Sequence, residues 1–398
     1  MKILRVISSM NPKGGGPCQG IRNTIPALQN IGVENEVVCL DAEDSDYLGK
    51  DLFKIHTLGA PKGPWAYNKN LIPWLVNNAS KYHAIIIHGL WQYNSYAVYK
   101  AIKQVLKEQQ LQIPYFVMPH GMLDPYFQKA PERRVKALRN WFFWKFIEHK
   151  VVNNATGVLF TCQEELLLAR QTFTPYKPKN ELNVGYGIVE PPQTAPHLIN
   201  AFKAVCPELK EAPYLLFLSR IHQKKGVDIL LEAYYNWITT ENISQPIKLV
   251  IAGPGLETDY GKSLLDFINK HPVLKSHVFF TGMLSGDSKW GAYHGSEAFI
   301  LNSHQENFGI SIVEALACNK PVLISDKVNI WREIVNESAG FVETDTLEGT
   351  IKLLKSWQAL SLEDKQIKSK QARQTFEKLY AIKPTALKLK DTLSAYIN

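Results

Sequence analysis

Short apolar runs alternate with longer segments of helical period along this chain. In the first half the runs cover residues 3–8, 36–40, 54–58, 84–88, 115–119, 158–162 and 182–186. In the second half they cover 214–219, 248–252, 278–281, 298–302 and 322–325. Each run is apolar almost throughout rather than apolar at every second position. That pattern belongs to strands buried on both faces, as in a parallel sheet covered by helices. The series runs twice, which predicts an α/β chain of two doubly wound, Rossmann-like domains facing across a cleft. Strand character fails over residues 187–213, where VEPPQTAP reads as a linker. The expected division is therefore 1–190, 191–384 and a C-terminal amphipathic helix over 385–398 that packs back on the first domain.

Length agrees with two domains, since 398 residues exceed what one core comfortably covers. Hydrophobic residues make up 45% and charged residues 21%, an ordinary globular balance. The formal net charge of +8 favours anionic partners without choosing among them. The five cysteines are odd in number and form no C-x-x-C pair or Cys/His cluster, which argues against zinc and against a disulfide framework. A reducing cytoplasm fits that usage. MKILRVISSM is short and interrupted by Arg5, unlike a signal peptide, and no apolar stretch approaches the roughly 20 residues of a membrane span. A cytoplasmic protein is expected.

In open α/β sheets, ligands bind beyond the carboxyl ends of the strands, so the loops there carry the candidate chemistry. Residues 303–326, SHQENFGISIVEALACNKPVLISD, place Glu306 in such a loop and Glu314 two helical turns later. Between them Asn307, Phe308, Gly309 and Ile310 present free amides at a helix start, suited to an anion or hydroxyl. Two carboxylates at that spacing can hold two polyols roughly 10 Å apart, as in a sugar nucleotide. A helix cap and one solvated glutamate would leave the same trace. Residues 217–230, FLSRIHQKKGVDIL, put Arg220 after a strand and Lys225 at the next helix start, a phosphate clamp or a solvated basic turn. IAGPG, with Gly253 and Gly255, leaves open backbone after another strand. NPKGGGPCQG, with Gly15 and Gly16, follows the first strand and precedes a helix expected near Ile21. It matches neither the dinucleotide fingerprint nor the P-loop.

His88 and His120 each end a strand and each precede a glycine, in IIIHGLW with Trp91 and in VMPHGMLDPY. One such histidine reads as structural; two at equivalent strand ends point to sugar or acceptor contact. Residues 131–152 interleave Arg133, Arg134, Lys136 and Arg139 with Val135, Leu138, Trp141, Phe142 and Trp144. Such a segment can lie on anionic lipid. The breadth of its aromatic cluster favours a core helix with a solvated basic edge. Asp44-Ser-Asp46 imitates a metal motif, but nothing around it supports one, and it reads as a solvated loop.

The 303–326 segment resembles the signature of the family 4 glycosyltransferases, retaining enzymes of the GT-B fold. SRIHQKKG resembles their phosphate segment, IAGPG their Gly-x-Gly turn, VFFTGMLS the loop that holds the base, KGGGP the N-terminal glycine loop and PHGML the site of a histidine near the sugar. The resemblance implies a nucleotide-diphosphate sugar as co-substrate, with no cofactor and no metal. Glu306 would contact sugar hydroxyls, Glu314 the ribose, and Arg220 and Lys225 the diphosphate. Backbone of residues 307–310 would touch sugar and phosphate, and Gly253, Gly255, Met283 and Leu284 would line the base side. Gly15 and Gly16 would approach the phosphates or acceptor, His120 the transferred sugar, and His88 and Trp91 the acceptor side. Pro254 stands where the family often has an acidic residue. PHGMLDPY is similar to a subgroup common in bacterial surface-polysaccharide synthesis, with a glycan or lipid-linked acceptor. Peripheral contact with an anionic inner membrane would suit such an acceptor; nucleic acid is not an expected partner. Front-face transfer is the implied mechanism, with double displacement through Glu306 as its competitor. An epimerase or phosphorylase of the same fold, or an inactive membrane- or polysaccharide-binding protein, are the alternative readings.

Overall fold

Apolar strands dictate the architecture. The first sheet contains β1 (Lys2–Val6), β2 (Glu34–Cys39), β3 (Ile55–Thr57), β4 (Ala84–His88), β5 (Tyr115–Met118), β6 (Gly157–Phe160) and β7 (Glu181–Asn183), in the spatial order β3-β2-β1-β4-β5-β6-β7. The second contains β8 (Tyr214–Leu218), β9 (Lys248–Ala252), β10 (Val278–Gly282), β11 (Ala298–Leu301), β12 (Val322–Ser325) and β13 (Gly340–Glu343), in the order β10-β9-β8-β11-β12-β13. Every pairing is parallel, with Ile3 opposite Ala84 in one sheet and Ala298 opposite Leu215 in the other. All residues of β4, β5, β6, β11 and β12 are buried, so helices must cover both faces. The computed structural model describes residues 1–12, 15–241, 243 and 245–397. Its two compact units are Met1–Val189 with Ala381–Asn398, and Glu190–Tyr380. Strand order reverses direction between β1 and β4 in the first unit and between β8 and β11 in the second. These switch points are where such sheets open a crevice for a ligand.

Several local expectations are corrected. Residues 187–213 are not simply a linker, because Pro196–Val205 is a helix with Pro196 in its first turn, where a missing N–H costs nothing. Leu198 and Phe202 bury one face of that helix. The helix expected near Ile21 already starts at Gly16, with Pro17 in its first turn. β13 escaped the sequence pattern because GFVE is only partly buried along its length and does not read as an apolar run. The C-terminal helix Ile382–Ser394 belongs to the first unit, where the Tyr396 ring lies 5.9 Å from Phe116. The described cysteines are all buried, and none is joined in a disulfide. Among the described residues, no helix is long and apolar enough to cross a membrane.

The largest correction concerns 131–152. A helix over Arg134–Phe143 runs into a π-type turn, Trp144–Glu148, and on into His149–Asn154. Its second half is core, with Trp144, Val151 and Val152 buried. Its first half is not, since Val135, Leu138, Trp141, Phe142 and Phe146 are exposed by 85%, 59%, 47%, 48% and 60%. The core-helix reading therefore holds for Trp144 and fails for Trp141 and Phe142. The wide turn adds a residue to the helical cycle, and Trp144 and Glu148 at its two ends are both buried.

Glu148 is fully buried and accepts hydrogen bonds from the Trp91 amide (2.9 Å) and the Ser95 hydroxyl (2.9 Å). Burial outweighs these two bonds and pushes its carboxyl up to about 7. A folded-state value above the unfolded one means the native state holds the extra proton. Stability is then complete below the unfolded value and is lost as pH rises through about 7. Glu148→Gln keeps an acceptor oxygen without the charge. Its stability relative to wild type, followed by urea unfolding, should improve between pH 5 and pH 8 by up to about 3 kcal/mol. A difference that stays level across that range would show that Glu148 does not titrate there.

Candidate active site

At the β8/β11 switch point the loop after β8 is tied to the loop after β11. The Asn302 amide donates to the Gly226 carbonyl (2.9 Å) and the Ser303 hydroxyl to the Lys224 carbonyl (2.9 Å). These buried bonds fix where Lys225 emerges. Lys225 is 7% exposed, and its ammonium pairs with Glu306. Glu306 is itself held in register: its amide donates to the Lys327 carbonyl (3.0 Å) and its carbonyl accepts from Asn329 (2.9 Å). Burial alone would raise the Glu306 carboxyl, but the charge and hydrogen bond of Lys225, with Lys224 and the Asn307 amide, hold it below its ordinary value. Glu306 is thus a carboxylate.

Arg220 is exposed at the end of β8, with no ion-pair or hydrogen-bond partner among the described residues. Its loop is supported by the IAGPG turn in a way the sequence did not suggest. Gly253 has φ 145°, and a Cβ there would lie 1.8 Å from the Ser219 carbonyl oxygen; Gly255 has φ 120°, and its Cβ would lie 2.4 Å from that of Ile221. The two glycines let the β9 loop press against the backbone on either side of Arg220. Both are buried, so their first duty is this close approach rather than an open surface.

Gly309, φ 74°, starts the helix Ile310–Ala317. The amides of Gly309, Ile310 and Ser311 have no acceptor among the described residues, as expected for a helix start. Asn307 faces Asn329, and the buried Phe308 ring packs against Tyr380. Met283, on the loop after β10, is 73% exposed while Leu284 is buried. Glu314, in the middle of the helix Ile310–Ala317, has partners separate from those of Glu306. Lys289 reaches one of its oxygens at 2.6 Å and the Tyr293 hydroxyl the other at 3.0 Å. Neither partner was singled out in the sequence, because both sit on another helix, Gly286–Gly295, and no local pattern announces them.

In the first unit, Gly15 and Gly16 are exposed at the start of the helix Gly16–Gln29, and a side chain at either would meet nothing nearby. Lys13 and Gly14 of the same glycine loop lie outside the described residues. His88 and His120 are brought together: Nδ1 of His88 is 2.9 Å from Nε2 of His120, and the rings stack. Both line a small cavity with Arg5, Pro17, Gly20 and Tyr186. His120 and Trp91 are non-glycine residues with positive φ, 52° and 69°. Such conformations cost on the order of 1–3 kcal/mol each and concentrate at functional sites. The Trp91 ring packs on Phe173 at 5.4 Å, so it is part of the aromatic core. In the sequence Arg5 stood out only as an interruption of an apolar run, and Asn35 did not stand out at all between Glu34 and Glu36 at the polar start of β2.

Comparison with known proteins agrees with this organisation. The model of the Glycosyl transferase 4-like domain matches residues 15–179, and that of Glycosyl transferases group 1 matches 199–374. An uncharacterized glycosyltransferase of Methanocaldococcus jannaschii is 30% identical over 126 residues, 32% of this chain and 30% of that protein. The serotype-specific mannosyltransferase WbdA of Escherichia coli is 25% identical over 159 residues, 40% of this chain and 19% of that protein. The matched stretches therefore span less than a third of each relative. Among solved structures, Anabaena HepE in complex with UDP and glucose superposes with a TM-score of 0.73 at 18% identity, covering 99% of this chain and 100% of its own. With the two family models matching in chain order, one on each unit, the chain belongs to the family 4 glycosyltransferases of the GT-B fold.

Proposed function

We propose that this chain transfers a sugar from a nucleoside-diphosphate sugar to an acceptor hydroxyl with retention of configuration. The observation that carries the proposal is the cluster at the β8/β11 switch point. There Arg220 and the helix-start amides, without partners among the described residues, stand on the neighbouring loops that carry the Lys225–Glu306 pair. A cation without a partner among the described residues, on the loop beside the one that carries amide donors, suits a diphosphate. A carboxylate held ionised beside it suits sugar hydroxyls. Glu314, within the helix those amides open, suits the ribose, with Lys289 and Tyr293 orienting it. HepE, which shares the fold, was solved with UDP and glucose, the two halves of such a donor. The second unit is then the donor domain. The first is the acceptor domain, with Gly15 and Gly16 at its glycine loop and His120 addressing the transferred sugar.

In the reaction the acceptor oxygen attacks the anomeric carbon on the face the diphosphate leaves. The bond from that carbon to the phosphate oxygen breaks, and the departing oxygen takes the acceptor's proton. Arg220 and Lys225 stabilise the charge that develops on the leaving group, with no divalent ion required. WbdA is described as serotype-specific, which supports a role in bacterial surface polysaccharide or glycolipid synthesis. The exposed half of the helix Arg134–Phe143 supports attachment to a membrane. Its exposed Val135, Leu138, Trp141 and Phe142 lie among exposed Arg134, Lys136 and Arg139, which complement anionic lipid.

Arg220→Ala should lower transfer ten- to a hundredfold, matching the roughly 1.5–3 kcal/mol of one charge-assisted contact. Wild-type transfer should persist in EDTA. Unchanged turnover in the folded variant, or activity that manganese alone restores, would refute the clamp. The two glutamates should separate by calorimetry with the free nucleoside diphosphate. Glu314→Ala should weaken its binding about ten- to a hundredfold, whereas Glu306→Ala should leave it nearly intact while lowering transfer. Equal weakening by both would show that their roles are not distinct. The chain should co-sediment with vesicles containing anionic lipid at low salt, and Trp141→Glu with Phe142→Glu should release it. Absence of wild-type binding at low salt, where attraction is strongest, removes the membrane proposal.

A further inference from the structure

The first unit buries a line of hydrogen bonds whose direction is set from one end. The Asn35 Nδ2 amide donates to the Val33 carbonyl (3.1 Å), which turns Asn35 Oδ1 towards Arg5 to accept from Nε (2.9 Å). Nη1 of Arg5 lies 3.3 Å from Nε2 of His88, and Nδ1 of His88 lies 2.9 Å from Nε2 of His120. A guanidinium has donors only. Nε2 of His88 must therefore accept, which leaves the ring's single proton on Nδ1. That N–H donates to Nε2 of His120, which must then be unprotonated as well. The remaining proton of His120 sits on Nδ1, for which no protein partner exists among the described residues. Both nitrogens of His88 are engaged, so turning that ring over would place carbons at both contacts and lose them.

We infer that Arg5 and His88 are positioning residues that hold His120 as a neutral, Nδ1-protonated hydrogen-bond donor. The inference rests on the reading above that His120 addresses the transferred sugar. It deepens that reading by naming the chemistry His120 recognises, a hydroxyl or phosphate oxygen that can accept. It also removes His120 as a general base through Nε2, whose lone pair His88 already occupies.

The same polarity opposes protonation of either ring. A proton on Nε2 of His120 would face the His88 N–H, and a proton on Nε2 of His88 would face the Arg5 N–H. Burial, with the Arg5 charge, lowers His120 to about 4, and burial with His120 and Arg5 holds His88 well below its usual range. Arg5 stays charged: burial lowers it only to about 10, and among the described residues no carboxylate forms an ion pair with it. The other titratable groups nearby are engaged elsewhere. The Tyr186 hydroxyl donates to the Gly16 carbonyl (3.0 Å), Glu165 accepts from the Gly121 and Thr161 amides, and Asp124 accepts from the Tyr126 amide.

Nitrogen NMR of the full chain labelled in histidine reads the tautomer and the titration of each ring. In wild type, His88 and His120 should both be neutral with the proton on Nδ1 from pH 8 to pH 5. His88→Leu should free His120 to exchange between tautomers, because its Nε2 no longer accepts from the His88 N–H. His88→Asn, which retains an N–H where Nδ1 stood, should keep His120 in its wild-type tautomer. A purely structural role for His88 would not distinguish these two variants in this way. Wild-type His120 protonated on Nε2, or titrating near the ordinary value, overturns the inference, and so does His88→Leu with an unaltered His120. The wild-type spectrum decides even where a variant does not fold. The tautomer is read without substrate, so failure of the relay is distinct from failure of the proposed reaction. The latter shows as a His120 resonance that UDP-glucose does not move while the relay's signature stands.

Discussion

A strand buried on both faces cannot carry solvated chemistry along its length, and that constraint organises the molecule. Its backbone groups are consumed by neighbouring strands and its side chains by helices above and below. Reactive groups are therefore pushed to the carboxyl ends, and at the switch points the loops diverge enough to leave a crevice. In the second unit the constraint is obeyed throughout. Arg220, Lys225, Glu306 and the helix-start amides all lie in loops beyond β8 and β11, with apolar strands beneath them. Buried bonds from Asn302 and Ser303 join the two loops, so a charged pair is positioned without any charge entering the sheet.

In the first unit Arg5 departs from the rule, and the consequences spread. Arg5 lies within β1 and is 2% exposed, a cation in an apolar sheet with no ion-pair partner among the described residues. An unpaired buried charge is costly unless its donors are satisfied. Asn35 on the adjacent strand and His88 on the other side satisfy two of its nitrogens. That arrangement makes His88 an acceptor, and through His88 it sets the state of His120. Glu148 is a second buried ionisable group, solved differently: two neutral donors meet one oxygen, and the carboxyl's value rises towards neutrality instead of being held down by a cation. Glu306 shows the third outcome, in which an adjacent ammonium keeps a carboxylate ionised despite burial. Burial acts the same way on all three, and the nearest donor or charge decides the result.

The repeated apolar runs were enough to read two parallel α/β units and to locate the loops that end β8 and β11, because both signals are local. A strand covered on both faces must be apolar residue by residue, and Gly309 or Gly226 must stand where φ is positive. Local signals failed where a run was diluted, as in β13, or where the same composition serves two environments, as in 131–152. The interleaving of basic and aromatic residues there is identical whether the aromatics face a core or solvent. Only the placement of neighbouring elements separates the buried Trp144 from the exposed Trp141. The pairing of Lys225 with Glu306, the clasp of Lys289 and Tyr293 on Glu314, and the line from Asn35 to His120 join residues 81, 25, 21 and up to 83 positions apart. By itself the sequence determined which strands are buried on both faces and which turns the backbone can make. Tertiary structure alone decided which charges and donors meet, because partners so distant in sequence are chosen by strand order and not by any periodicity.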